Sequence, residues 1–291
     1  MTRIAFLGPV GTVSQEATRH FFAGETHEFV PCYPISEVFL STVEGRTDLS
    51  VIPIENTIDG SVSLHLDWLV HEVDLPIRAE WIYPSVQNLI GYAGTDPANP
   101  YAGIRRIVSI AVAVSQCRNF LGEHLPGVQF EYVSSTAEGV RLVKEHPGEG
   151  WAAIGTKLAA ELYGLDVLAH NITDHDNNYT RFILAGHYVP QLRESATPKT
   201  TILVTLPEDY PGALHQVLSA FAWRRINLSK IESRPTKLRL GSYYFYIDIE
   251  ASMDSVLLPA AIEEIRAIGC QVRILGSYPS FHDLSTLTKE V

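Results

Sequence analysis

The chain has 291 residues, 46% of them hydrophobic and 19% charged, and a formal net charge of −11. This composition suits one or two globular domains and argues against long disordered stretches. The acidic balance argues against a nucleic-acid binder and requires any anionic substrate to meet local donors.

Three apolar runs, Arg3–Leu7, Phe29–Val30 and Leu49–Ile54, alternate with helical patterns at Ser14–Phe22, Ser36–Val43 and Val62–Val70, the βαβ rhythm of an α/β sheet. A β-rich segment, Arg78–Tyr92, follows, and then the alternation restarts. Strands are predicted at Ile107–Ile110, Gln129–Val133, Trp151–Ile154 and Val167–Ala169, with helices at Val112–Leu121, Ala137–Lys144 and Lys157–Tyr163 and a last strand at Thr180–Tyr188. Two such α/β units joined by extended crossing segments predict two lobes with a ligand cleft between them. The polar, proline-containing segment Gln191–Lys199 reads as a linker, with a domain break near residue 195. Beyond it the predicted order is strand Thr201–Leu206, helix Gly212–Ala222, strands Ile226–Ile231 and Tyr243–Ile249, helix Val256–Ile268 and strand Val272–Leu275. That is the ferredoxin-like βαββαβ arrangement. The expected domains are thus 1–190, an α/β pair of lobes, and 200–280.

Cys32, Cys117 and Cys270 lie too far apart in sequence for a zinc motif, and as an odd set they suit free thiols in a reducing compartment. The start MTRIAFLG lacks a signal-peptide pattern, and no window holds the roughly 18 consecutive apolar residues of a membrane helix. A cytoplasmic protein that binds neither membrane nor nucleic acid is expected.

Three motifs could carry chemistry. Gly8-Pro9-Val10-Gly11-Thr12-Val13-Ser14 joins a strand to a helix. Its glycines allow close backbone approach and the helix start offers unpaired N–H groups, while Thr12 with Gln15 fits a capping box. Pro53-Ile54-Glu55-Asn56-Thr57 closes a buried strand at its carboxyl end, where open α/β sheets place ligand contacts. Asp174–Phe182 (DHDNNYTRF) supplies Asn177, Asn178, Thr180 and Arg181 within five positions, and arginine binds carboxylates through a bidentate fork. Taken singly, each is equally a capped turn, a solvated loop or an asparagine-rich turn. Asp174, His175 and Asp176 are adjacent and lack further ligands, so no metal and no cofactor is expected.

Order and spacing together resemble one family. Gly8–Ser14 is similar to the GPxGTxS opening of prephenate dehydratases, Pro53–Thr57 to their PIEN(S/T) segment and Asn178–Phe182 to their NxTRF signature. Ser135-Thr136-Ala137 and the run from Ala152 to Leu165 also match in order. Pro211–His215 (PGALH) and Ile231–Pro235 (IESRP) resemble the two phenylalanine-binding segments of the family's ACT regulatory domain. The resemblance implies a two-lobed, periplasmic-binding-protein-like catalytic domain followed by an ACT domain. It implies conversion of prephenate to phenylpyruvate, with L-phenylalanine as allosteric effector and a homo-oligomer, dimer or tetramer, formed through ACT domains. Alternatives are an arogenate dehydratase or a sensor without turnover. No chorismate mutase extension is expected ahead of the first strand.

On this reading Thr180 hydrogen-bonds the departing hydroxyl, and Arg181 and the helix start at Ser14 anchor carboxylates. Asn56, Thr57 and Asn178 orient the substrate, Phe182 either packs beside its ring or belongs to the core, and Glu55 is either a protonated substrate contact or a brace for Arg181 or the loop. Gly212, Ala213, Leu214, Asn227, Leu228, Glu232 and Ser233 are the expected phenylalanine-binding residues, with Glu232 on the ammonium group. One departure stands out. Where the family commonly reads SHPQAxxQC, this chain has Ser109–Cys117 with Ile110 and Val112 in place of His and Gln. The segment Pro84–Leu89 likewise lacks the histidines often found there.

Overall fold

The computed structural model describes residues 1–94, 99–192, 196–208, 210–237 and 243–281. Contacts divide these into two compact units: Met1–Val73 with Ile82–Phe182, and Asp74–Trp81 with the described residues from Ile183 to Phe281.

The first unit opens with β1 (Arg3–Leu7), α1 (Val13–Phe21), β2 (Glu28–Cys32), α2 (Ile35–Val43), β3 (Leu49–Asn56), β4 (Gly60–Ser61) and α3 (Ser63–Asp67). β1 lies parallel to both β2 and β3, pairing Ile4 with Phe29 and with Leu49. Ile4, Phe6, Leu49, Val51, Ile52 and Ile54 are fully buried. β3 buries both faces because helices cover a parallel sheet on both sides. The helix predicted over Val62–Val70 ends as an α-helix at Asp67 and runs on as a π-helical turn, Trp68–Glu72.

After the crossing strand β5 (Ile77–Pro84) comes the second lobe: β6 (Asn88–Gly91), β7 (Arg106–Ser109), α4 (Ala111–Ser115), α5 (Arg118–His124), β8 (Gln129–Tyr132), α6 (Thr136–Glu145), β9 (Trp151–Gly155), α7 (Lys157–Tyr163) and β10 (Asp166–Ala169). Its sheet runs β10-β6-β9-β7-β8, with a separate apolar cluster on each face. The single helix expected at Val112–Leu121 is instead two, broken at Gln116 and Cys117. The Gln116 carbonyl accepts from Asp174 N at 2.7 Å, and its side chain turns away to polar partners. β11 (Tyr179–Ala185) closes the unit beside β3, where Thr57 N donates to Tyr179 O at 2.9 Å.

The lobes meet where the turn after β1 touches α7. Gly11 has φ +88°, and a Cβ there would stand 3.1 Å from the Ala159 methyl, so only glycine fits. Thr156 donates its hydroxyl to Gly11 O at 2.7 Å and accepts from Ala159 N, capping α7. Glu16 reaches across from α1 to accept from Leu158 N at 3.1 Å.

The second unit contains β12 (Thr197–Thr205), α8 (Ala213–Ala222), β13 (Leu228–Pro235), β14 (Tyr243–Ile249), α9 (Leu257–Ala267) and β15 (Gln271–Phe281). The strands run β13-β14-β12-β15, the ferredoxin-like order, with α8 and α9 burying Val217, Phe221, Leu258, Ile262 and Ile265 against Ile202, Val204, Ile247 and Ile249. Three strands outrun their predicted ends, β13 running on past Ile231 to Pro235. β12 begins inside the expected linker, Pro198 pairing with Pro279, while residues 193–195 of that linker lie outside the described residues. β15 continues to Phe281 rather than ending at Leu275 because its polar end is buried. Ser280 donates to Glu80 at 2.6 Å, and Lys199 forms a buried ion pair with the same carboxylate.

Candidate active site

The cleft between the two lobes encloses about 660 Å³. Its walls come from chain segments distant in sequence: the turn from Gly8 to Ser14, Asn56 and the loop Asp59–Leu64, Ser85 and Gln87, the segment around Ile110–Gln116, Ser134–Thr136, and Thr180 with Phe182. A ligand of small aromatic-acid size fits that space.

Two helix starts face the cleft. Thr12, Val13 and Ser14 open α1, and Ser134, Ser135 and Thr136 open α6. Unpaired N–H groups and the positive dipole end make such starts anion sites. At α6, Ser135 caps Glu138 N at 3.1 Å, and Glu138 returns to accept from Ser134, which holds its carboxyl below the usual carboxylate range. At α1 the expected capping box does not form. Thr12 donates its hydroxyl back to Leu7 O at 3.0 Å, and Gln15 accepts from Gly11 N at 2.7 Å, fastening the turn instead of the first helical N–H groups.

Thr180 stands in the cleft wall as expected. Its Oγ1 accepts from Asn56 Nδ2 at 3.1 Å and lies 2.6 Å from Ser85 Oγ. Asn56 is itself locked, because its Oδ1 accepts from Ile58 N at 2.8 Å and Asp59 N at 3.1 Å. Strand alternation puts Thr180 and Phe182 in the cleft wall and sends Arg181 to the other side. There Arg181 Nε pairs with Glu55 Oε2 at 3.4 Å, and neither residue lines the cleft. Arg181, expected to anchor a substrate carboxylate, thus faces away from the cleft, and of the roles considered for Glu55 the geometry matches holding Arg181.

Thr57 and Asn178 also serve the frame. The Thr57 hydroxyl donates to Asn177 O at 2.5 Å and accepts from Tyr179 N at 2.9 Å, stitching β3 to β11. Asn178 is buried, accepts from Asn56 at 2.8 Å and donates to Gln116 at 2.9 Å. Ser14 and Asn56 line the cleft as expected.

Among the described lining residues no lysine, arginine or histidine occurs, and Asp59 carries the one carboxylate. Ile110 and Val112 form an apolar part of the wall where the family's His and Gln would stand. His65 is nearby in sequence but buried, its ring 2.6 Å from Pro53 O, and burial pushes its pKa down. Sequence reasoning missed Ser85, Gln87, Asp59 and Gln116 as cleft residues. Ser85 and Gln87 flank Val86 with strand spacing, and Gln116 is a polar residue inside an apolar helical run, two signals that could have found them.

In the second unit Gly212 has φ +93° and caps α8, with Ala213 buried behind it and Leu214 half-buried. Asn227 donates to Glu250 at 2.7 Å just before Leu228 opens β13. Alternation along β13 points Glu232 inward, between Lys230 at 3.3 Å and Arg234 at 3.6 Å, and Ser233 outward. Those two expected ligand residues therefore occupy opposite faces of the strand.

The prephenate dehydratase family model matches residues 4–188, and the ACT domain model matches residues 200–270. The chain belongs to the prephenate dehydratase family. A Bacillus subtilis prephenate dehydratase is 40% identical over 285 residues, covering 96% of this chain and 99% of the relative. The crystal structure of an Arthrobacter aurescens prephenate dehydratase in complex with L-Phe superposes with a TM-score of 0.83 at 34% identity, covering 95% of this chain and 89% of that one. A structure described as GqqA, a quorum-quenching acylase, superposes with a TM-score of 0.80 at 29% identity, covering 96% and 97%. The two-lobed α/β architecture and the ACT domain expected from the sequence are both present. Among the described residues no helix is long and apolar enough to cross a membrane.

Proposed function

We propose that the chain converts prephenate to phenylpyruvate and is inhibited by L-phenylalanine through its ACT domain. The observation that carries the reading is the Thr180 hydroxyl, which lines an anion-suited cleft and is oriented from two sides by Asn56 and Ser85. In the reaction the bond between ring and carboxylate breaks and CO2 departs. The electron pair enters the ring, and the C4–O bond breaks, so that the hydroxyl leaves with a proton as water. Aromatisation supplies the driving force, and the site has to orient two carboxylates and assist one leaving group.

Because Asn56 Nδ2 donates to Thr180 Oγ1, the Thr180 hydrogen is available for donation to the leaving hydroxyl, with Ser85 as the neighbouring relay. A threonine hydroxyl is too weak an acid to ionise at neutral pH, so its contribution is a directed hydrogen bond. The starts of α1 and α6 receive the two carboxylates through N–H and hydroxyl groups in place of cations. A carboxylate held this way is oriented without being locked in an ion pair that would resist its departure. An acyl-hydrolase reading is disfavoured, since no imidazole stands among the described lining residues to activate Ser85 or Thr180.

Purified protein incubated with prephenate should generate phenylpyruvate, followed by its absorbance at alkaline pH, and arogenate in competition reports which substrate is preferred. Thr180→Val removes the hydroxyl and nearly keeps the shape. A kcat loss of roughly 10²–10⁴-fold is expected; less than about tenfold removes Thr180 from the chemistry.

A further inference from the structure

A line of hydrogen bonds joins Asp59 to Thr180 through three amides. Gln116 Nε2 donates to Asp59 Oδ2 at 2.6 Å, Asn178 Nδ2 donates to Gln116 Oε1 at 2.9 Å, and Asn56 Nδ2 donates to Asn178 Oδ1 at 2.8 Å and to Thr180 Oγ1 at 3.1 Å. An amide can present either its oxygen or its nitrogen, so three in a row admit two senses of donation. The ends decide between them. An ionised carboxylate only accepts, so Asp59 fixes the Gln116 nitrogen toward itself and the Gln116 oxygen toward Asn178, and the order then propagates to Asn56. At the other end, the backbone N–H groups of Ile58 and Asp59 fix the Asn56 oxygen away from Thr180. Both ends demand the same sense.

We infer that Asp59 is a positioning residue for the dehydration step: through Gln116, Asn178 and Asn56 it holds the Thr180 hydroxyl as a hydrogen-bond donor. This rests on the reading that Thr180 donates to the leaving hydroxyl. An amide at position 59 can donate to Gln116 and so permits the reversed order. Reversal would set the Asn178 nitrogen against the Asn56 nitrogen, two donors face to face, and Asn56 would move off Thr180. Gln116 and Asn178 are buried, so water does not readily repair that mismatch.

Asp59 also places a negative charge in the wall of a site for a dianion, and that separates the proposal from a merely structural role. Asp59→Asn should lower kcat roughly three- to tenfold, the loss expected when a charge-assisted hydrogen bond is replaced by a neutral one, while KM stays level or falls as repulsion is relieved. Asp59→Glu, which keeps the acceptor, should recover most of kcat. In a Thr180→Val background Asp59→Asn should cost less than about twofold, because the two act as one unit. Should Asp59→Asn fail to fold, Asp59→Ser takes its place in the same cycle. Equal losses in both backgrounds, or a raised KM with kcat kept, would overturn the inference while the assigned reaction stands. Full activity in Thr180→Val alone would overturn the inference together with the reading beneath it.

Discussion

Glu16 offers a test of the lobe junction that is independent of catalysis. Its carboxyl is enclosed between α1 and α7, and burial raises its pKa from 4.5 to about 7, partly offset by the hydrogen bond from Leu158 N. The folded protein therefore holds this proton more tightly than the unfolded chain between those two values. Stability falls as pH rises through that window and levels off above about 7. Across the interval from 4.5 to about 7, about 1.4 kcal/mol per pH unit makes the ionised group cost about 3 kcal/mol at pH 8. Glu16→Gln keeps an oxygen for Leu158 N and abolishes the charge. Thermal unfolding followed by circular dichroism at pH 4, 5.5 and 8 should find the variant level with wild type at the acid end. At pH 8 it should be more stable by roughly 6–12 °C, the shift such an energy produces in a unit of this size. A difference in melting temperature between the two proteins that does not grow with pH would refute the assignment of a raised pKa to this carboxyl.

Lys199→Ala leaves the buried Glu80 carboxylate without its cation. Breaking a pair of this kind costs about 3–5 kcal/mol, which denaturant unfolding of the variant should register as loss of the second unit's structure. L-Phenylalanine should inhibit turnover, and Glu232→Ala should blunt that inhibition; unchanged inhibition curves would remove Glu232 from the effector site. Ile110→His should leave kcat within about threefold, since general acid–base help worth 10²-fold or more is not what this wall provides; a large gain would return histidine chemistry to the site.

Much of this arrangement was legible in the residues themselves. β1 and α7 begin and end where apolar alternation and the cap at Thr156 put them, and β14 matches its predicted limits. The segment at Pro53 lies at the carboxyl end of a buried strand, as expected, and the segment at Asn178 meets it there. What escaped were interactions between residues far apart in sequence. Gln116 breaks a helix whose apolar spacing reads as continuous, because its carbonyl and amide are claimed by Asp174, Asp59 and Asn178. The polar end of β15 and the Lys199 end of β12 read as loop and linker, since Lys199 and Ser280 meet Glu80, more than a hundred residues away. Arg181 was legible in principle: the period of two that points Thr180 into the cleft turns its neighbour out.

The apolar stretch of the cleft wall at Ile110 and Val112 has a chemical consequence of its own. In the proposed reaction charge starts localised on one carboxylate, spreads over the ring and the departing oxygen in the transition state, and is taken up by the proton that makes water. Hydrocarbon beside the reacting ring solvates the compact reactant poorly and the diffuse transition state comparatively well. Ile110, half-buried, and Val112, exposed, contribute such a medium only in small measure, within the roughly threefold change expected of Ile110→His.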